Sequence, residues 1–411
     1  MPLSMATRFG YLPPALLMLA AGPLLLGCAS EPNAEPAPTT FAVRDSAGVE
    51  IVESAEPAWD EGEAWTLSED PLLSIGMVEG PDEYMLYHSV GAIRLSDGRI
   101  ALGNGGSHQL RFYSADGTFL SATGGSGEGP GEFRSMGFIW RLGADSIAVL
   151  DYQLLRISIF DLTGAFGRSF RLTGGDRDMV FPHGVFGDGT VLASSTIRDD
   201  GGRTETGSFR DLLDHQHFNR DGVFRSKVVT VPGPELFSAA LPGGAGVTTS
   251  PRHGLTPWTV TASDSWFYGP SESYEILEWS VDGRLQRVFR VEKDRRPTPA
   301  QDIAQWEERV RGMDPRPKQL WESVPVSSHL PAYEQVILDR SGNLWLAEYL
   351  VLDETPLWQV LSPEGVWLGS VSLPPGGRVS EIGEDYVLGT WRDEMDVETV
   401  RMYELFKPQG P

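Results

Sequence analysis

Four of the seven histidines combine useful chemistry with a shared placement. Each lies in a connector shortly before a predicted inner strand; they are His88, His183, His253 and His329. Imidazole binds divalent metals and exchanges protons near neutral pH, so a convergent set would form a metal centre or an acid–base site. The four stand at different distances from the neighbouring turns, and the alternative is four separate, solvated loop histidines.

Two arginines offer a different chemistry. Arg134 and Arg378 precede the predicted inner strands of the second and sixth units. They could present a cationic spot to an anionic ligand. Such a spot would stand out in this chain, which has a formal net charge of -24. The alternative is local pairing with Glu132 or Glu381. The four histidines and these two arginines together are the predicted ligand-binding residues.

Other polar groups are predicted to be structural. Asp151 and Arg156 are expected to form an ion pair or to brace a loop. The glycine-rich connector at residues 124–131 could bind an anion through its backbone N–H groups. It lacks the Gly-Lys-Ser/Thr of a nucleotide-binding loop, so we expect a tight crossing between units instead.

Familiar catalytic motifs do not occur in the sequence. It contains no Gly-x-Ser-x-Gly elbow, no His-Glu-x-x-His pair and no EF-hand loop. The acidic charge balance disfavours nucleic acid as a partner. These observations favour a binding protein without a cofactor; the alternative is an enzyme.

Cys28 is the single cysteine. It follows an apolar stretch at residues 11–26 that is preceded by Arg8 and interrupted by two prolines, which predicts an export signal rather than a membrane span. The ending Leu-Leu-Gly-Cys resembles the lipobox of bacterial lipoproteins. The resemblance implies removal of residues 1–27 and lipid attachment to the Cys28 sulfur. The alternative is an ordinary buried cysteine.

The segment after Cys28 predicts a tether. Residues 29–40 are rich in Pro, Ala and Glu and have no apolar period, so residues 28–40 are expected to be disordered. Ala29 stands where some lipoproteins carry an aspartate that retains them at the inner membrane. The lipoprotein resemblance therefore implies the outer membrane of a bacterial envelope, on its periplasmic or surface side, with the lipid as the membrane contact.

Residues 41–411 consist largely of a repeated unit of four short strands, named a to d. Asp-Gly pairs such as Asp97-Gly98 mark tight turns between the strands. The inner strands of six units are predicted near residues 89, 136, 184, 258, 333 and 378. The sixth unit lacks strand d, while residues 65–76 form an orphan strand that resembles one. The sequence therefore predicts an all-β ring of six four-stranded antiparallel blades, closed by an N-terminal strand.

One repeat also resembles a known family. Residues 148–164, AVLDYQLLRISIFDLTG, resemble an NHL-type propeller repeat through an Asp, an Arg-Ile pair and an aromatic before an Asp-x-x-Gly turn. The connector EGPGEF at residues 128–133 recurs as EGPDEY at residues 79–84. Together they resemble the six-bladed propeller lipoproteins of environmental bacteria. Related propeller lyases use central histidines with a divalent metal, so the resemblance implies, as an alternative, a metal held by His88, His183, His253 and His329.

Segments outside the repeat are predicted as follows. Residues 45–54 predict an edge hairpin, and the polar residues 196–214 predict a long loop in the third unit. Residues 292–328 predict a single helix with Thr298 as N-cap, Pro299 as its first residue and an apolar face that ends at Met313. This helix is expected to dock on the propeller or to act as a lid.

The predicted strand directions indicate where a ligand would bind. Strands alternate in direction, so the d-to-a connectors and the b-to-c loops emerge on one face, which we call the top face. Binding sites favour such loops on a rigid scaffold. The predicted function is a membrane-anchored module that binds an envelope protein, a peptide or a glycan on this face. The alternative is a metal-dependent lyase or lactonase-type enzyme at the channel mouth.

Overall fold

Six antiparallel sheets follow one another along the chain and close into a ring. The computed structural model describes residues 40–60, 62–175, 179–197, 206–240, 246–351 and 354–408. The innermost strands of successive sheets contact each other in cyclic order, and the last contacts the first. The protein is a six-bladed β-propeller, as predicted. The predicted signal, the predicted lipid-attachment site at Cys28 and nearly all of the predicted tether lie outside the described residues.

The strand bounds agree closely with the repeat in blades one and two. Before the first blade the chain forms β1 (Phe41–Ser46), β2 (Val49–Ser54), β3 (Thr66–Leu67), β4 (Leu73–Ile75) and a 3₁₀ turn (Asp82–Tyr84). Blade one contains β5 (Ser89–Arg94), β6 (Ile100–Asn104), β7 (Gln109–Tyr113) and β8 (Phe119–Gly124). Blade two contains β9 (Met136–Leu142), β10 (Ser146–Asp151), β11 (Arg156–Asp161) and β12 (Phe166–Arg171). Glycine is required in the β5–β6 turn, where Gly98 has φ of 88°.

The other blades repeat the pattern with local changes. Blade three contains β13 (Phe181–Val185), β14 (Val191–Ile197), β15 (Gly207–Phe218), β16 (Phe224–Ala240) and β17 (Gly246–Thr249). Blade four contains β18 (Trp258–Thr261), β19 (Ser265–Gly269), β20 (Glu275–Ser280) and β21 (Leu285–Val291). Blade five contains β22 (Gln335–Leu338), β23 (Leu344–Ala347), β24 (Leu357–Leu361) and β25 (Trp367–Ser372), and blade six contains β26 (Gly377–Ile382), β27 (Tyr386–Arg392) and β28 (Glu398–Phe406).

The ring is closed by the predicted N-terminal strand. In β4, Leu73 pairs with Met402 and Ile75 pairs with Val400 of β28, so β4 supplies the missing d strand of blade six. Leu73 is 4% exposed and Ile75 is 1% exposed. Burying two such side chains contributes roughly 2 kcal/mol each. The two ends of the described chain are therefore joined by backbone pairing and by an apolar contact.

The N-terminal segment also crosses the outside of two other blades. The hairpin β1–β2 is present, and β2 pairs in parallel with β21 on the outer edge of blade four. The Trp59 N–H then donates to the Leu368 carbonyl of blade five over 2.8 Å. Residues 41–75 thus run along the outer edges of blades four, five and six in turn.

Apolar layers between neighbouring blades form the core. Each of six clusters of buried side chains joins two adjacent blades. Trp266, Trp345 and Trp391, all on b strands, are almost completely buried in or beside these layers. The tryptophans on the second strands serve inter-blade packing, as the sequence indicated.

The prediction of a loop through residues 196–214 was wrong at both ends, because residues 196–197 continue β14 and residues 207–214 belong to β15. Residues 207–214 belong to the long strand β15, in which Leu213 pairs with Val231 and Arg210 pairs with Glu235 of β16. These residues were predicted as a loop because they are largely polar. They are polar because this extension of β15 is only partly buried. Pro232 is accommodated at a bulge opposite Leu212, where the register shifts and no donor is needed.

The insertion between blades four and five contains two helices rather than one. They are α1 (Ala300–Arg311) and α2 (Pro315–Ser323). The helix α1 begins one residue later than predicted, because the Thr298 hydroxyl donates to the Ser327 carbonyl over 2.6 Å instead of capping the helix. Trp306 and Trp321 pack edge to face with ring centroids 5.3 Å apart. None of the described helices has the length and apolarity of a membrane span.

Candidate ligand site at the channel mouth

The structure separates the four candidate histidines. His183 lies in β13, where its ring stacks on His215 with centroids 5.1 Å apart and its Nε2 lies 2.8 Å from the Ser194 hydroxyl. His215 in turn stacks on the buried Trp266 at 4.8 Å. Burial lowers the pKa of His183 to about 4 and lowers that of His215 well below its usual range. Both rings are neutral near pH 7 and belong to the layer between blades three and four.

His253 holds the helical insertion. It is 5% exposed, and its Nε2 lies 2.7 Å from the Oδ2 of Asp302 on α1. The Arg252 Nε donates to the same oxygen over 3.1 Å. Burial would raise the pKa of Asp302, but the bonds from Arg252 and His253 outweigh it and hold that pKa below its usual value. We call Arg252, His253 and Asp302 the clasp.

The remaining two histidines are exposed and lie apart from each other. His329 interacts with its neighbour Ser328, whose hydroxyl is 3.0 Å from its Nδ1. His88 lies beside the inner strand of blade one and lines a cavity with blade six. Within the described ranges, no three His, Cys, Asp or Glu side chains are grouped as metal ligands. The four histidines are therefore not brought together, because His183 packs against His215 between two blades and His253 binds Asp302.

The two arginines also differ from each other. Arg134 is exposed and its Nη2 lies 3.4 Å from Glu128, not from Glu132. Glu381 pairs with Arg141 over 3.2 Å instead of pairing with Arg378. Among the residues that the structure describes, no carboxylate lies within ion-pair distance of Arg378. Its guanidinium donates to the Ser89 carbonyl.

Arg378 lies between two cavities at the centre of the ring. One, of about 270 Å³, lies between blades six and one and is lined by His88, Ser89, Gly376, Gly377, Thr390, Arg392 and Glu398 together with Arg378. The other, of about 170 Å³, lies in the central channel between the inner strands of blades one, two, five and six. The side chain of Arg378 is therefore available to a ligand in either cavity.

The other charged groups of the larger cavity neutralise each other. The buried Glu398 accepts a hydrogen bond from the Arg392 Nη2 over 2.6 Å and another from the Ser89 N–H over 2.7 Å. The Ser89 and Thr390 hydroxyls are 3.0 Å apart. Because Arg392 has this partner and a second one in Asp396, Arg378 is the lining cation whose charge is left for a ligand.

Three aromatic side chains of blade two lie on the other side of the channel. Phe138 lies 5.9 Å from Trp140 and 6.0 Å from Tyr152, measured between ring centroids. Phe138 is 49% exposed and Tyr152 is 40% exposed. Burial raises the pKa of Tyr152, and the nearby Arg378 charge opposes this rise. We call Phe138, Trp140 and Tyr152 the aromatic shelf, and the shelf with Arg378 and its two cavities the channel-mouth site.

The glycine-rich connector is structural rather than an anion cradle. The Arg156 guanidinium donates to the carbonyls of Glu128 and Gly129 over 2.8 and 3.2 Å. In blade one, Arg111 likewise donates to the carbonyls of Asp82 and Glu83, over 3.0 Å each. An arginine of strand c therefore fixes each copy of the connector, and Asp151 separately accepts the Arg134 N–H at 2.7 Å. Of the two predicted roles for Arg156, loop bracing is the one observed.

Sequence reasoning located Arg378 and His88 but missed the aromatic shelf. An aromatic at the exposed position of an inner strand, Phe138, and a second one in the following b-to-c loop, Tyr152, were the available signal. Both residues sit in the repeat that matches the propeller pattern best. Their contact with each other depends on the fold, so spacing along the sequence does not reveal it.

Comparison with known proteins agrees with the six-bladed fold. The model of the DUF5128 family, described as a 6-bladed beta-propeller, matches residues 79–173. No curated protein matches the sequence. One similar solved structure is a Bacteroides fragilis protein described as exported, with 12% identity, coverage of 87% of this chain and 100% of that chain, and a TM-score of 0.49.

Two further solved structures resemble the chain more weakly. Virginiamycin B lyase from Staphylococcus aureus has 9% identity, coverage of 84% of this chain and 100% of its own, and a TM-score of 0.40. A member of the duf4221 family from Bacteroides vulgatus has 10% identity, coverage of 84% and 99%, and a TM-score of 0.39. At these values none of the likenesses bears on function, and the blade count rests on the strand pairing described above.

Proposed function

We propose that this protein is a lipid-anchored component of the bacterial envelope that binds an anionic ligand at the channel-mouth site. One observation carries the proposal: Arg378 has an exposed guanidinium without a carboxylate partner among the described residues, at the wall of two cavities. The chain has 57 acidic and 33 basic residues. An arginine left unpaired in a concave site is suited to a carboxylate or a phosphate.

The rigidity of the scaffold supports binding at this position. Arg378 is anchored on β26 by its bond to the Ser89 carbonyl of the next blade. Ser89 is itself fixed by Glu398 and Thr390. A cation held in this way loses little side-chain freedom when a ligand arrives, which reduces the entropic cost of binding.

The path of the N-terminal segment is compatible with a membrane anchor near the top face. The Thr40 carbonyl accepts a hydrogen bond from the Ala55 N–H over 3.0 Å. Beside it, the Ser54 carbonyl accepts one from the N–H of Glu292, where the helical insertion begins. Residues 28–39, if extended, would span at most about 40 Å. A lipid on Cys28 would therefore keep Thr40 within about that distance of the membrane surface.

A panel of small anions tests the proposal on the detergent-solubilised full-length protein. Carboxylates, phosphates, acidic sugars and peptides with a free C-terminus are added, and the melting temperature is measured. We expect at least one anionic class to stabilise the wild type but not the Arg378→Gln variant. Arg134→Gln is the matched control, because Arg134 is an exposed top-face arginine that already has an acidic partner. If no anion stabilises the wild type, or if Arg378→Gln responds as the wild type does, the proposal is wrong.

A further inference from the structure

The aromatic shelf and the polar lining of the channel-mouth site narrow the class of ligand. We infer that the site binds an acidic sugar residue, with its carboxylate on Arg378 and its ring on the aromatic shelf. This inference rests on the proposed function, because it requires an anion at Arg378. Beyond the proposed function, it specifies that the anionic group is the carboxylate of a sugar.

The shelf provides flat, exposed ring surface beside the charge. Phe138 lies at a position of β9 where its side chain is 49% exposed, although a phenylalanine in water forgoes the free energy of burial. It lines the same channel cavity as Arg378. Tyr152 packs edge to face against Phe138 and lies within the electrostatic influence of Arg378. A ligand that bound Arg378 would therefore have apolar ring surface on one side.

The rest of the lining offers hydrogen-bonding groups of the kind that hydroxyls require. Gln335 and Ser380 line the channel cavity and are each partly exposed. Amide and hydroxyl side chains can each donate and accept hydrogen bonds. A sugar ring presents an apolar face and a rim of hydroxyl groups, so the shelf and this lining match its two surfaces.

The sizes of the cavities favour a single ring over a larger group. The two volumes, about 170 and 270 Å³, lie below the usual range of roughly 300–1,000 Å³ for pockets that enclose drug-sized ligands. A hydrophobic side chain of a peptide would favour a closed apolar pocket, whereas the shelf is open and flat. The observations therefore favour one acidic sugar residue at the end or within a glycan, and a peptide carboxylate is an outcome that the test can return.

The test compares an acidic oligosaccharide with its neutral methyl ester. Tri-galacturonate and its methyl ester have the same rings and hydroxyls but differ in charge, and their binding to the full-length protein in detergent is measured by isothermal titration calorimetry. We expect the wild type to bind the acid at least about tenfold more tightly than the ester. We expect Arg378→Gln to remove this preference, since the preference depends on the charge pair. Phe138→Ala should weaken both ligands about tenfold or more without changing their ratio.

Controls and outcomes keep the two proposals distinguishable. Arg134→Gln should bind both ligands as the wild type does, and melting temperatures show that each variant is folded. If anionic peptides or phosphates bind in an Arg378-dependent manner while tri-galacturonate does not, the sugar inference is overturned and the proposed function stands. If tri-galacturonate binds but Phe138→Ala has no effect, the ring placement is overturned. If no anion binds at Arg378, both proposals are wrong.

Discussion

The guanidinium of Arg378 in blade six lies close enough to the phenol of Tyr152 in blade two to affect its pKa. Blade one lies between these two blades in the ring, so this electrostatic interaction spans the inner strand of blade one at the channel mouth. The channel cavity connects the two sides, since it is lined by Arg378 and by Phe138, the ring neighbour of Tyr152. A cation and an exposed aromatic surface are thereby presented together by a rigid frame.

Ring closure through β4 is expected to contribute to global stability. Ile75→Ala should lower the free energy of unfolding by about 3 kcal/mol, because Ile75 is buried against blades one and six and its loss would leave a cavity. Leu72→Ala is the control, since Leu72 is 57% exposed in the same segment, and should change stability by less than about 1 kcal/mol. Urea unfolding followed by tryptophan fluorescence measures both. Equal effects of the two substitutions would contradict the closure.

The histidine stack between blades three and four should make the protein sensitive to acid. The folded-state pKa of His183 is about 4, below the ordinary value of 6.5. As pH falls from 6.5 towards 4, the unfolded chain takes up a proton on His183 that the folded protein does not. The free energy of unfolding is therefore unaffected by His183 above pH 6.5 and decreases on acidification between pH 6.5 and about 4. The loss amounts to at most about 3 kcal/mol, and to less in so far as His183 retains contact with water.

A variant comparison isolates this contribution. His183→Phe should retain stacking on His215, and its unfolding free energy should fall less between about pH 7 and about pH 4 than that of the wild type. His329→Gln should keep the wild-type profile, because His329 is exposed. The measurement is urea denaturation at the two pH values. Parallel profiles for the wild type and His183→Phe would show that His183 does not contribute to the acid sensitivity.

The clasp is expected to hold the helical insertion against the propeller. Asp302→Asn should weaken the bonds from Arg252 and His253, at a cost of about 2 kcal/mol, since both are charge-assisted. Hydrogen–deuterium exchange should then rise in α1 but not in β18–β21. Glu307→Gln is the matched control on an exposed position of the same helix. Unchanged exchange in Asp302→Asn would indicate that the apolar contacts of the insertion suffice.

The lipid anchor is tested by fractionation. Cys28→Ala should release the protein from membranes, because the sulfur is the predicted site of lipid attachment, whereas Ser30→Ala should remain bound. Ala29→Asp should shift the protein from the outer-membrane to the inner-membrane fraction in a density gradient, because an aspartate after the lipidated cysteine is the retention signal that the lipoprotein resemblance implies. A Cys28→Ala variant that still sediments with lipid would contradict the anchor.

The repeat was predictable because its signals are local. Asp-Gly turns, the recurring connector and the missing fourth strand of the last unit led to the blade count and to closure by residues 65–76. Both strands of that segment, β3 and β4, pair with β28. Polarity alone did not distinguish residues 207–214 from a loop, because their partner strand lies later in the chain. The second helix, α2, was missed for a related reason, since its contact with α1 through Trp306 and Trp321 is tertiary.

The candidate site was only partly predictable. His88 and Arg378 were identified from their positions before or in inner strands, and they line one cavity. His183 and His253 carried the same sequence signal, yet one stacks on His215 and the other binds Asp302. A connector side chain can point to the channel or into the layer between two blades. Contacts between blades decide which, and the spacing of residues in the sequence does not reveal those contacts.

Site-directed photo-cross-linking in intact envelopes tests the central claim most directly, because it reports where the native ligand binds. The photoreactive p-benzoylphenylalanine replaces Tyr152 at the channel mouth or, as a control, Asp145 in the a-to-b turn on the opposite face of the same blade. We predict a ligand adduct from position 152 and not from position 145, and a loss of at least about fivefold in that adduct when Arg378→Gln is added. Equal adducts from both positions, or an adduct at 152 that does not depend on Arg378, would contradict binding of an anionic ligand at the channel-mouth site.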